Sequence, residues 1–109
     1  MYTGQMTQET HIKKGYKLFL NSCGQQKTIN EIQALFDFFL TPEEKNAISL
    51  RVTLTQALLK GELTQREIAS QLKVSIAKIT RGSNMLKLIS SKTKSILINS
   101  LLNKDKEKF

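Results

Sequence analysis

Cysteine and histidine are nearly absent from this chain: Cys23 is its only thiol and His11 its only imidazole. One cysteine cannot close an internal disulfide, which removes the small cross-linked scaffolds of oxidising compartments. One cysteine and one histidine also fall short of an ordinary structural zinc site. Tryptophan is missing, and proline occurs once in 109 residues, at Pro42. With five glycines, 39% apolar and 24% charged residues, the composition is that of a helical globular protein. Collagen-like and disordered chains are excluded on the same counts. No apolar run approaches the ~18 residues of a membrane-crossing helix. The first residues, MYTGQMTQETHIKKGY, lack the apolar block of a secretory signal. The expectation is one domain over residues 1–109, cytoplasmic and away from membranes. A chain of this length buries roughly two-thirds of its extended surface, enough to fold without disulfides or metal.

Negative charge is also scarce. Nine acids face seventeen basic residues, for a net +8 and a pI near 9.8. The imbalance is local. Residues 31–72 are net acidic, with six acids against two lysines and two arginines. Residues 73–109 hold eight lysines and Arg81 against two acids. A basic C-terminal third fits a polyanion partner, with nucleic acid ahead of an acidic membrane surface. Arginine is the rare cation: Arg51, Arg66 and Arg81 stand beside fourteen lysines. Either arginine is kept where a planar, stacking or bidentate cation is needed, or the codon usage of an AT-rich genome disfavours it.

Hydrophobic spacing is helical throughout, with neither strand-like alternation nor an internal repeat. A first, weakly patterned helix is expected from about Thr7 to Asn21, with Leu18 and Phe19 as its clearest apolar residues. Cys23-Gly24-Gln25-Gln26 reads as a break. A second helix runs from about Ile29 to Leu40. Its end, Leu35-Phe36-Asp37-Phe38-Phe39-Leu40, is too apolar for one face against one core and points to burial on several sides, as in a subunit interface. Thr41-Pro42-Glu43-Glu44 opens a third helix with a cap, a first-turn proline and an acid for the capping box. That helix stops at Gly61. Thr64-Gln65-Arg66-Glu67 is a second capping box and starts a short helix ending near Leu72. Ser75 caps a helix over about Ile76–Leu88. The last helix spans about Ser91–Asn103, with a buried stripe of Leu97, Ile98, Leu101 and Leu102. The tail, 104–109, is expected to fray.

Residues 65–88 carry the sharpest signal. Helices of about eight and twelve residues are joined by three residues, as in a DNA-reading helix-turn-helix. Ile68, Ala69 and Leu72 are expected to face inward, with Val74 in the corner and Ile76, Ile79 and Leu86 opposite. Lys73 falls where such turns often have glycine, so a left-handed conformation costing ~1 kcal/mol is expected there. The outer face of the second helix reads Ala77, Lys78, Thr80, Arg81, Asn84 and Lys87, residues suited to base edges and phosphates. The competing reading is a core helical hairpin with a solvated basic face.

The stretch Leu58-Leu59-Lys60-Gly61-Glu62-Leu63-Thr64-Gln65-Arg66-Glu67-Ile68, followed by Ile79-Thr80-Arg81-Gly82-Ser83-Asn84-Met85-Leu86-Lys87, resembles the Trp repressor family. The resemblance covers about residues 31–90 and leaves out an N-terminal arm, 1–28, and the basic tail. It implies an all-α fold: a six-helix, intertwined homodimer with a helix-turn-helix head. It further implies L-tryptophan as corepressor and double-stranded operator DNA as partner. Carried onto this chain, the indole would lie between Arg51 and Arg81, and Arg81 would also pair with the ligand carboxylate. Thr41 of the other subunit would assist, and backbone carbonyls near Phe38 and Leu40 of that subunit would receive the ligand ammonium. Gly82 would leave room beside the ring, and Met85 would stand near the ammonium. DNA contacts would come from Gln65, Arg66, Ile76, Ala77, Lys78, Thr80, Asn84 and Lys87. Stacking of guanidinium on an aromatic face contributes ~1–2 kcal/mol when desolvated. The bland readings are a salt bridge from Arg51 to Glu43 or Glu44, and a phosphate contact for Arg81.

The chain departs from the family pattern at four positions. Met85 replaces a serine, Ala69 a DNA-contacting lysine and Ser75 a glycine, while Lys78 is an added cation. An enzyme is not expected: there are no paired inward acids, no nucleophile with a partner and no phosphate-cradling glycine loop. Two rivals stand beside a tryptophan-dependent repressor. One is a regulator of the same fold that is ligand-independent or answers a different effector. The other is a dimeric, antitoxin-like interaction module using the basic tail.

Overall fold

The structure is a computed structural model that describes residues 7–103. The expected fraying of 104–109 lies outside the described residues. Six helices and no strand occur among those residues: α1 (Gln8–Gly24), α2 (Ile29–Phe39), α3 (Pro42–Lys60), α4 (Gln65–Leu72), α5 (Ile76–Leu88) and α6 (Ser91–Leu101). The chain divides into two compact units with the boundary between Thr41 and Pro42.

In the first unit, α1 runs past the expected break to Gly24. Gln26 explains the extension: its side-chain amide donates to the Ser22 carbonyl at 2.9 Å and satisfies an end of the helix. α2 begins at a capping box that the sequence reading lacks, although its Thr-x-x-Glu spacing is plain. The Glu31 N–H donates to Thr28 Oγ1 at 3.1 Å, and the Thr28 N–H donates to Glu31 Oε1 at 3.2 Å. Phe19 of α1 meets Phe36 and Phe39 of α2, with ring centroids 5.5 and 5.8 Å apart. Yet neither helix contains a fully buried residue. The apolar end of α2 is not enclosed within one chain: Phe38 is 79% exposed and Phe39 56%. Leu18 is exposed as well.

The second unit has a true core. Leu54 of α3, Ile68 of α4 and Ile79 of α5 are buried, and Ala57, Leu58, Leu63, Ala69, Leu72 and Val74 pack around them. α3 stops where Gly61 takes φ 67°, and the Gly61 N–H donates to the Ala57 carbonyl at 3.2 Å. α4 starts at the expected box: the Glu67 N–H donates to Thr64 Oγ1 at 3.1 Å and the Thr64 N–H to Glu67 Oε1 at 2.8 Å. Lys73 ends α4 in the left-handed region, with φ 56° and ψ 44°. Ser75 then caps α5, accepting from the Lys78 N–H at 3.2 Å.

Two details differ from the sequence reading. Ile76 does not face inward; it is about half exposed. It is the first residue of α5, and three residues of helix rotate it about 60° from the buried Ile79. The stripe on α6 is half-buried at Leu97, Leu101 and Leu102 and exposed at Ile98. α6 is tied to α3 by Gln56, whose side-chain amide donates to the Leu101 carbonyl at 2.8 Å.

Candidate nucleic-acid interface and ligand cavity

α4 and α5 are joined by Lys73, Val74 and Ser75. Three features of the local sequence fix this turn. Lys73 reverses the chain in a conformation that L-residues adopt at a cost. Val74 folds back into the core, its N–H donating to the Ala69 carbonyl at 3.2 Å. Ser75 occupies an orphan N–H of the next helix. With Ile68 and Ile79 fully buried beneath the crossing, the outer surfaces of both helices are left free. Gln65 and Arg66 on α4 are exposed, as are Ile76, Ala77, Lys78, Thr80, Asn84 and Lys87 on α5. No acid stands in the first turn of α5, so its positive helix end is capped by the Ser75 hydroxyl but has no acidic side chain from that turn beside it. α5 therefore offers donors and cations to a polyanion with no carboxylate of its own, and the one acid of α4, Glu67, accepts from the Thr64 N–H.

Behind this face lies a cavity of about 530 Å³ bounded by α3, α5 and α6. That is the size of a small-molecule site. Arg51, Arg81, Gly82 and Met85 line it together. Four of the residues expected to hold a ligand thus share one cavity. The remaining three belong to the other compact unit: Phe38 is exposed, Leu40 half-buried and Thr41 exposed. Apolar walls come from Leu50, Leu54, Val74, Leu86, Ile89 and Leu97. Among the described residues neither guanidinium forms an ion pair, so the Arg51 salt bridge weighed above is not made.

Gly82 has a second reason to be glycine. A Cβ built there would lie 3.2 Å from Leu54 Cδ2 and 3.5 Å from Leu58 Cδ1. Its missing side chain lets α5 approach α3 closely enough to bury Ile79 while leaving the cavity open beside it. Lys78 is the cavity residue that the sequence reading placed only on the DNA side. Its signal is helical spacing: positions 78, 81, 82 and 85 follow one ridge of α5.

A helix-turn-helix with a basic outer face is the arrangement of a DNA-binding regulator, and here its second helix also walls a ligand-sized cavity. The family model described as Trp repressor protein matches residues 14–101. A Trp operon repressor homolog of Chlamydia caviae is 46% identical over 94 residues, covering 86% of this chain and 92% of its own. One from Chlamydia trachomatis serovar D is 44% identical, covering 78% and 90%. One from Vibrio vulnificus is 49% identical over 73 residues, covering 67% and 71%. The chain belongs to the Trp repressor family; it is a DNA-binding transcriptional repressor and not an enzyme.

Proposed function

We propose that the protein represses transcription as a homodimer that grips operator DNA when L-tryptophan fills the cavity between α3 and α5. The observation that carries this reading is the joint lining of that cavity by Arg51 and Arg81, one on the core helix and one on the reading helix. A planar aromatic acid suits two guanidinium groups, which stack on rings and pair with carboxylates. A ligand touching both helices fixes the angle at which α5 meets the major groove. Without it the heads lose that setting, and the coupling between ligand and DNA is of the typical ~1–3 kcal/mol. The genes controlled are those of tryptophan biosynthesis or transport, and the site of action is the cytoplasm.

The dimer reading is supported by apolar surface that one chain leaves uncovered, above all Phe38, Phe39, Leu18 and Tyr16 in the first unit. Exposed patches of this kind mark association surfaces. In the dimer, Phe38, Leu40 and Thr41 of one chain complete the cavity of the other.

Equilibrium dialysis against L-tryptophan tests the proposal directly, because the chain has no tryptophan fluorescence of its own. One ligand per chain is expected, lost in Arg51→Ala and Arg81→Ala. Operator footprints are expected only with ligand present. Equal footprints with and without ligand, and no saturable binding at millimolar tryptophan, favour the second reading. In that reading the protein is a ligand-independent or different-effector regulator of the same fold. Its supporting observation is Met85, which puts a bulky thioether, 56% exposed, on the cavity.

A further inference from the structure

Lys78 belongs to two surfaces at once. It is one of the residues lining the cavity, together with Arg51 and Arg81, and no carboxylate lines that cavity. It also stands exposed in the first turn of α5, the reading helix, about 120–180° of helical rotation from Thr80, Asn84 and Lys87. Its backbone N–H is already engaged by Ser75 Oγ, whereas among the described residues no acid pairs with its ammonium. A cation in the first turn of a helix opposes the helix dipole. Its placement is therefore a local cost that an anion outside the chain would offset.

A lysine side chain has a long apolar stem and a compact charged head, and the two can serve different surroundings. We propose that Lys78 is the residue shared between ligand and DNA: its stem closes one wall of the cavity, and its ammonium contacts a DNA backbone phosphate. This rests on the ligand reading above. An aromatic ring in the cavity confines the stem and leaves the ammonium outside. The side chain then loses less freedom when it meets a phosphate, and part of the coupling arises without a shift of the backbone. By reciprocity, operator DNA tightens ligand binding through the same residue.

Two substitutions separate stem from charge. Lys78→Met keeps an apolar stem and removes the ammonium. It is expected to leave L-tryptophan affinity within about threefold of wild type and to weaken operator binding by about tenfold at low salt. The slope of log affinity against log salt falls by about one per chain bound. Lys78→Ala removes both parts and is expected to weaken tryptophan binding about tenfold as well. Lys78→Arg restores the salt slope. Helical circular dichroism matched to wild type keeps folding out of the comparison. An unchanged salt slope in Lys78→Met overturns the phosphate half, and unchanged tryptophan affinity in Lys78→Ala overturns the cavity half. A wild-type protein that binds no L-tryptophan overturns the corepressor reading and the cavity half with it. Normal tryptophan binding with unaltered variants overturns this proposal alone.

Discussion

The two compact units solve the same problem differently. The head, built from α3, α4 and α5, buries Leu54, Ile68 and Ile79 within one chain. Neither helix of the N-terminal unit buries a side chain fully, although α2 is the most apolar of the six described helices. Its rings touch one another, yet Phe38 and Phe39 still face outward. Helices need not differ in propensity to differ in this way. What differs is how many sides of each are covered. The head carries its own core beneath an outer surface of polar and cationic residues. The N-terminal unit leaves apolar residues uncovered, and the proposed dimer would bury them.

That contrast can be broken from either side. The largest effect is expected in the head. Ile79→Ala, at a fully buried site, costs about 3 kcal/mol, within the usual range for such truncations. Urea denaturation should show it as a lower midpoint, and an unchanged midpoint would mean that the head lacks an independent core. Phe38→Asp attacks the other unit. Because Phe38 is exposed within one chain, its replacement should spare helix content but weaken the proposed dimer by roughly a hundredfold, or about 2.7 kcal/mol. Sedimentation equilibrium reads this, and equal self-association would remove Phe38 from the interface.

Smaller changes sharpen the picture. Lys73→Gly relieves a left-handed residue at the turn of the head and should stabilise it by about 0.5–1 kcal/mol, visible as a raised thermal midpoint. The smallest effect is electrostatic and falls on both units alike. Glu67 lies below the usual carboxylate range because it accepts the Thr64 backbone N–H and then the Thr64 hydroxyl. Glu31 does so because it accepts the backbone N–H groups of Lys27 and Thr28. A carboxylate lowered in the folded state adds stability above its unfolded pKa of roughly 4.3. That contribution fades as pH falls through this value and on through the lowered folded one. Glu67→Gln should therefore be slightly less stable than wild type at pH 7 and indistinguishable from it near pH 2. A difference that persists in acid would place the effect elsewhere.

Much of the head was legible in residues alone. Thr64 with Glu67, Gly61, Ser75 and the Lys73 turn are local signals, each acting on the few residues beside it. The apolar spacing of Ile68 and Ile79 named the core correctly. Less was legible where geometry depends on neighbours. Ile76 is apolar and was read as inward, yet the start of α5 turns it outward. The double character of Gly82, and the presence of Lys78 on the cavity, follow from the distance between α3 and α5, which no spacing rule supplies.

The sequence by itself determined six helices, the caps at Thr64 and Ser75, the helix-turn-helix and the sign of the charge on its face. These depend on backbone hydrogen bonds and helical period, which act within a few residues of the chain. Only the tertiary structure decided which apolar residues are covered and which cations share a cavity. Burial is a property of what packs against a side chain. Arg51 and Arg81, thirty residues apart in the chain, line one space only because α5 lies close against α3.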